Sequence, residues 1–127
     1  MKEVIFSQEE LQEKLKTWQK RLRLQDWIIK VHIVRGRDMK LEECQAEVSW
    51  TIAKKTATVR IIDPLDYPSD VTDPQDMENS LIHELLHLHL APITGGDVDG
   101  VFHIAEEQAI ESITSGIISC IREGVKT

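Results

Sequence analysis

The chain has 127 residues, 41% of them apolar and 29% charged, with a net charge of −7. This composition suits one globular domain spanning residues 1–127 and excludes disordered, collagen-like and disulfide-framework chains. The charge is uneven: residues 1–60 carry 13 Lys/Arg against 9 Asp/Glu, and residues 61–127 carry 2 against 13, so a broad polyanion-binding surface is not expected around anything in the second half. No apolar run approaches the ~18 residues of a membrane span, and the opening Met1 to Phe6 lacks the apolar core of a secretory signal. Two cysteines without C-x-x-C spacing, Cys44 and Cys120, fit a reducing compartment, so a cytoplasmic location is expected.

The first helix is signposted by Ser7, an N-cap, with Glu10 three residues on to complete a capping box. Phe6 and Leu11 suit a hydrophobic staple, and Leu11, Leu15, Trp18 and Leu22 recur at helical spacing as a core stripe. Lys14, Lys16, Lys20, Arg21 and Arg23 read as its solvated face rather than as a nucleic-acid patch.

After Leu24-Gln25-Asp26 the period changes to two. Trp27, Ile29, Val31 and Ile33 alternate with outward residues as a first strand. A polar stretch from Met39 to Gln45 reads as loop. Ala46, Val48, Trp50 and Ile52 mark a second strand, Ala53-Lys54-Lys55 a tight turn, and Thr56 to Ile62 a third strand with Ala57, Val59 and Ile61 on one face. The expected architecture is α+β, with the three strands forming a small antiparallel sheet against the first helix. The third strand is the expected open edge, available to a peptide by strand addition.

Asp63 to Pro74 holds three Pro and four Asp and reads as loop. Its acidic residues lack the glycine and closing glutamate of an EF-hand, so calcium is not expected. Asp73 as N-cap and Pro74 as first residue start a second helix that runs to Ala91 and is stopped by Pro92. Met77, Leu81, Leu85 and Leu88 form its buried stripe. A third helix is expected from Val101 to Glu123, with Ile110, Ile113, Ile117 and Ile121 inward.

The second helix carries His83-Glu84-Leu85-Leu86-His87, an H-E-x-x-H motif. Spacing of four residues puts both imidazoles on one face, one turn apart, where two nitrogens can reach one Zn²⁺. Glu84 sits beside them, placed to take a proton from a water molecule held by the ion. A catalytic zinc site needs a third protein ligand. The third helix offers Glu106 and Glu107, both bordering its isoleucine face. Glu107 is preferred because Glu111 follows at i+4 and can accept a hydrogen bond from the free nitrogen of a ligating histidine. His103, one turn before Glu107, is a candidate for metal binding or for hydrogen bonding to an oxyanion. His32 and His89 lack suitable spacing and read as surface or packing residues. The chemistry indicated is hydrolysis of peptide bonds with one Zn²⁺ per chain, by a monomer or weak oligomer acting on a peptide or protein substrate. Two other readings remain: a zinc-bearing binding or regulatory module without turnover, and a SprT-like DNA-associated protease.

The H-E-L-L-H helix, followed about twenty residues later by Glu106-Glu107-Gln108-Ala109-Ile110-Glu111, resembles the gluzincin metallopeptidases, and the small minigluzincin and phage-type forms above all. The opening helix with Trp18 and the run Leu22-Arg23-Leu24-Gln25-Asp26-Trp27 are similar to theirs. The resemblance covers roughly residues 10–120. It implies a minimal zincin-like fold, zinc held by His83, His87 and Glu107, and Glu84 as general base. The chain is too short for the second subdomain with which larger gluzincins stabilise the oxyanion, which implies either that Tyr67 or His103 substitutes or that activity is low. Some minigluzincins resemble self-inhibited zymogens, which implies a covering segment such as the Asp63–Pro74 loop or a terminus.

Overall fold

In the computed structural model, residues 3–41, 44–68, 73–95 and 100–123 are described. The order is α1 (Gln8–Arg21), β1 (Ile28–Val34), β2 (Ala46–Thr51), β3 (Thr56–Ile62), α2 (Met77–Thr94) and α3 (Val101–Arg122). Short 3₁₀ turns precede β2, β3 and α2. Among the described residues, no helix is long and apolar enough to cross a membrane.

The capping box forms: Ser7 Oγ accepts from Glu10 N–H, and Glu10 accepts from Ser7 N–H. Leu11, Leu15 and Trp18 are buried, and Leu22 packs at the rim of the core. Two basic residues of α1 are occupied locally, Lys16 with Glu13 and Arg21 over the Trp18 ring.

The sheet is mixed, which corrects the all-antiparallel expectation. β2 and β3 form an antiparallel hairpin through a 3₁₀ turn closed by Lys55 in the left-handed region (φ 51°). β1, however, pairs with β3 in parallel, in the order β1-β3-β2. The connection from Val34 to Ala46 is too long for a hairpin and frees β1 from β2. β3, with Ala57, Val59, Ile61 and Ile62 all buried, takes the central place, where apolar runs are favoured. β3 is therefore not an edge, and the open strand beside α2 is β2.

α2 begins later and ends later than expected. Its N-cap is Asp76, accepting from Asn79 N–H, not Asp73. Val4 pairs with the segment before the helix (Val4 N–H to Gln75 O, Met77 N–H to Val4 O), which holds the chain extended at Asp76. Pro92 lies inside the last turn rather than stopping it, and the helix closes on Gly95 at φ 69°, whose N–H donates to Ala91 O. On α3 the inner face is Ile110 and Thr114, with Ile117 and Ile118 packed at the core's margin; Ile113 and Ile121 are half-exposed, contrary to expectation.

A buried carboxylate ties three helices together. Glu78 accepts from Trp18 Nε1–H at 2.8 Å and pairs with Arg122 at 3.3 Å and Lys14 at 3.6 Å. Arg122 also grips the α2 N-cap, Asp76, at 2.5 and 3.0 Å. Removing a buried partner strands the others. Glu78→Ala is expected to lower stability by about 3 kcal/mol, and Glu78→Gln by about half that, because the amide oxygen can still accept from Trp18. Urea unfolding at neutral pH measures both, and equal small losses would deny the network its role.

Candidate metal centre

α2 and α3 pack side by side and bring the titratable residues singled out in the sequence to one place. His83, His87 and Glu107 each offer one ligand atom, and all three atoms lie within 4.8 Å of one another. Glu107 faces both imidazoles: Oε2 is 3.0 Å from His83 Nε2 and Oε1 is 3.0 Å from His87 Nε2. The opposite ring nitrogens are each backed by a further carboxylate. Glu111 Oε1 is 2.9 Å from His83 Nδ1, and Glu106 Oε2 is 2.7 Å from His87 Nδ1. The two adjacent glutamates thus have different places: Glu107 stands at the apex shared by both rings, and Glu106 behind one of them.

This arrangement has a proton-counting consequence. A neutral imidazole has one N–H and can satisfy only one of two facing carboxylates. Here all four ring nitrogens of His83 and His87 face carboxylate oxygens. A divalent cation at the apex would take the Nε2 lone pairs and one Glu107 oxygen, leaving each Nδ1–H to its own carboxylate. Bonds of about 2.1 Å at tetrahedral angles put neighbouring donors about 3.4 Å apart, within reach of the observed cluster. The donor set therefore fits a metal ion, with the backing carboxylates orienting the rings.

Glu84 is buried, 7% exposed, and lines the same cleft. Its carboxyl is pushed up to about 8, by burial first and then by the negative charges of Glu107, Glu47 and Glu111. His103 also lines this cavity of about 280 Å³, although it is not part of the metal-ligating group. Tyr67 is turned elsewhere: its hydroxyl donates to the Asp73 carbonyl at 2.9 Å, and it does not line the cavity. His32 is exposed on β1, and His89 contacts the Leu22 carbonyl at 2.6 Å, pinning the end of α1 to α2.

No family model, curated protein or solved structure matches the chain.

The opposite wall of the cleft holds two residues the sequence did not single out. Glu47 points away from the inner face of β2, yet it is only 5% exposed, because the preceding loop folds over it. It accepts from the Lys40 and Leu41 N–H groups at 2.8–3.0 Å and pairs with Arg60 at 3.4 Å, fixing that loop as a wall of the cavity. Cys44, on the same wall, has its thiol pushed up to about 11 by burial and by Glu47 and Glu84, so it stays protonated. Strand periodicity marks Glu47 as solvent-facing; its fold-back partners lie six and seven residues away and carry no periodic signal. The loop acids are placed structurally: Asp63 caps Leu65 N–H, and Asp66 holds Arg35 and Gly36 N–H. Of the covering segment considered above, residues 69–72 lie outside the described residues.

Proposed function

We propose that this chain is a zinc-dependent metallopeptidase of minimal gluzincin-like design, with His83, His87 and Glu107 holding the ion. The single observation that carries the reading is the convergence of both Nε2 atoms on Glu107 while each Nδ1 is backed by its own glutamate. That pattern suits zinc's preference for nitrogen and carboxylate donors with carboxylate-oriented histidines. When bound, the ion would supply Lewis-acid polarisation of a scissile carbonyl and acidify a water molecule.

The rest of the chemistry falls to the chain's own residues. Glu84 accepts the proton of the attacking water and passes it to the departing amine. Burial and the neighbouring carboxylates raise its proton affinity in the metal-free protein, and a bound cation would offset that negative charge, leaving the carboxylate ionised to take the proton and basic enough to hold it until the amine departs. Glu106 and Glu111 fix the imidazole orientations. Among the described residues β2 pairs only with β3, and it lies against the cleft, so its free side can take an extended peptide as a further strand. His103, which lines the cavity, would donate toward an oxyanion.

A peptide-mixture digestion read by mass spectrometry tests the reading. Zinc-loaded protein is expected to cleave internal bonds, and a chelator to stop it. Stoichiometric zinc without cleavage of any peptide would instead favour a metal-bearing binding module.

A further inference from the structure

The cleft at the metal cluster has two ends of unlike chemistry. Both ends share Ala46, His83 and Glu84. In one direction β2 continues through Val48 and Trp50, α2 continues to His87, and α3, running the opposite way, passes from Glu107 to His103. Leu41, Val48 and Trp50 give that end an apolar wall. In the other direction lies a second cavity of about 270 Å³, walled by Gln45, Asn79, Ser80 and Glu111.

Asn79 and Ser80 stand four and three residues before His83, so they share its side of the helix one turn earlier. Among the described residues, neither side chain has a hydrogen-bond partner. Glu111 gives one oxygen to His83 Nδ1 and is otherwise 62% exposed, which leaves its second oxygen available. Among the described residues, no Lys or Arg lines this end. It therefore offers a carboxylate oxygen, two amides and a hydroxyl, a set that matches a side chain bearing N–H donors and positive charge. An apolar side chain there would leave those groups unpaired.

The direction of a bound peptide settles which residue meets which end. A segment added to the free side of β2 in antiparallel fashion, the better-paired mode, runs from Trp50 toward Ala46. The residue before the cleaved bond then faces the Val48–Trp50 end, and the residue after it faces Asn79 and Ser80.

We propose that the cleft selects the two residues flanking the cleaved bond in opposite senses, an apolar one before it and a lysine or arginine after it. The proposal rests on the peptidase reading above and adds the substrate class. A site built to hydrogen-bond a side chain rejects one that cannot reciprocate, so kcat/KM is expected to favour Lys or Arg over Leu after the bond by about tenfold or more.

The test uses zinc-loaded protein and peptides varied at the two flanking positions, with the double variant Asn79→Leu, Ser80→Val alongside. The expected result is the stated preference in the wild type and its loss or reversal in the variant. Cleavage with an apolar preference after the bond, or an unchanged preference in the variant, overturns the proposal while leaving the peptidase reading intact. A wild type that cleaves no peptide overturns both. If the double variant does not fold, the wild-type preference decides alone.

Discussion

Glu84→Gln is expected to lower peptide hydrolysis by about a thousandfold or more while the protein keeps its metal and its fold, in line with the ~10²–10⁴ that general base catalysis contributes. Glu84 is 7% exposed and lies one residue from His83, lining the same cavity as the metal-ligating residues. Glutamine has the same shape and can accept a hydrogen bond from water, but it cannot take up a proton. The fold should not suffer. Burial and the neighbouring Glu107, Glu47 and Glu111 all work against a charge at this position, so a neutral amide relieves the metal-free protein. The metal-free variant is therefore expected to melt no lower than the metal-free wild type at pH 8. Zinc content, melting temperature and kcat/KM together decide the matter. Retained hydrolysis would remove Glu84 from the chemistry, and lost hydrolysis accompanied by lost zinc would make it a structural residue instead.

Much of this site was legible because helix periodicity fixes which residues share a face. The four-residue steps from His83 to His87 and from Glu107 to Glu111 each put two side chains on one side of a helix, and those two sides meet. The place of Glu106 was harder to foresee. Borderline positions on a helical wheel depend on how the partner helix is rotated, and here the rotation brings Glu106 to His87 Nδ1. In the sheet, alternation told which residues face inward but nothing of which strand neighbours which. β3 became central through its apolar content and the long β1–β2 connection, neither of which enters a period-two pattern. The start of α2 shows local signals losing to a distant one. Asp73-Pro74 is a good helix opening by itself, but the backbone pairing of Val4 with residues 75–77 holds the chain extended until Asp76. Glu47 was missed for the same kind of reason, since its burial comes from a loop folding back over it.

Zinc loading is expected to bind about one ion per chain and raise the melting temperature by about 10 °C or more, and His83→Ala to abolish both effects. The ion would join α2 to α3, and at a free concentration a thousand times its dissociation constant the native state gains about 4 kcal/mol. The effect carries a pH signature. In the metal-free protein the Glu84 carboxyl is raised from 4.5 to about 8. A raised folded-state value means the native state holds this proton more tightly than the unfolded chain. Its contribution to stability is fully present below about 4.5 and is lost as pH rises toward 8. The metal-free protein should thus weaken across that window, and the zinc-induced rise should grow over the same interval as the cation offsets the buried negative charge. Glu84→Gln should flatten the metal-free trend. His32→Ala, at an exposed position on β1, should change zinc uptake and melting little, within about 0.5 kcal/mol. Calorimetry between pH 5 and pH 8, with and without zinc, checks each arm. An unchanged melting temperature in His83→Ala with zinc, or no uptake by the wild type, would mean that the converging imidazoles and glutamates form an ion-pair cluster rather than a metal centre.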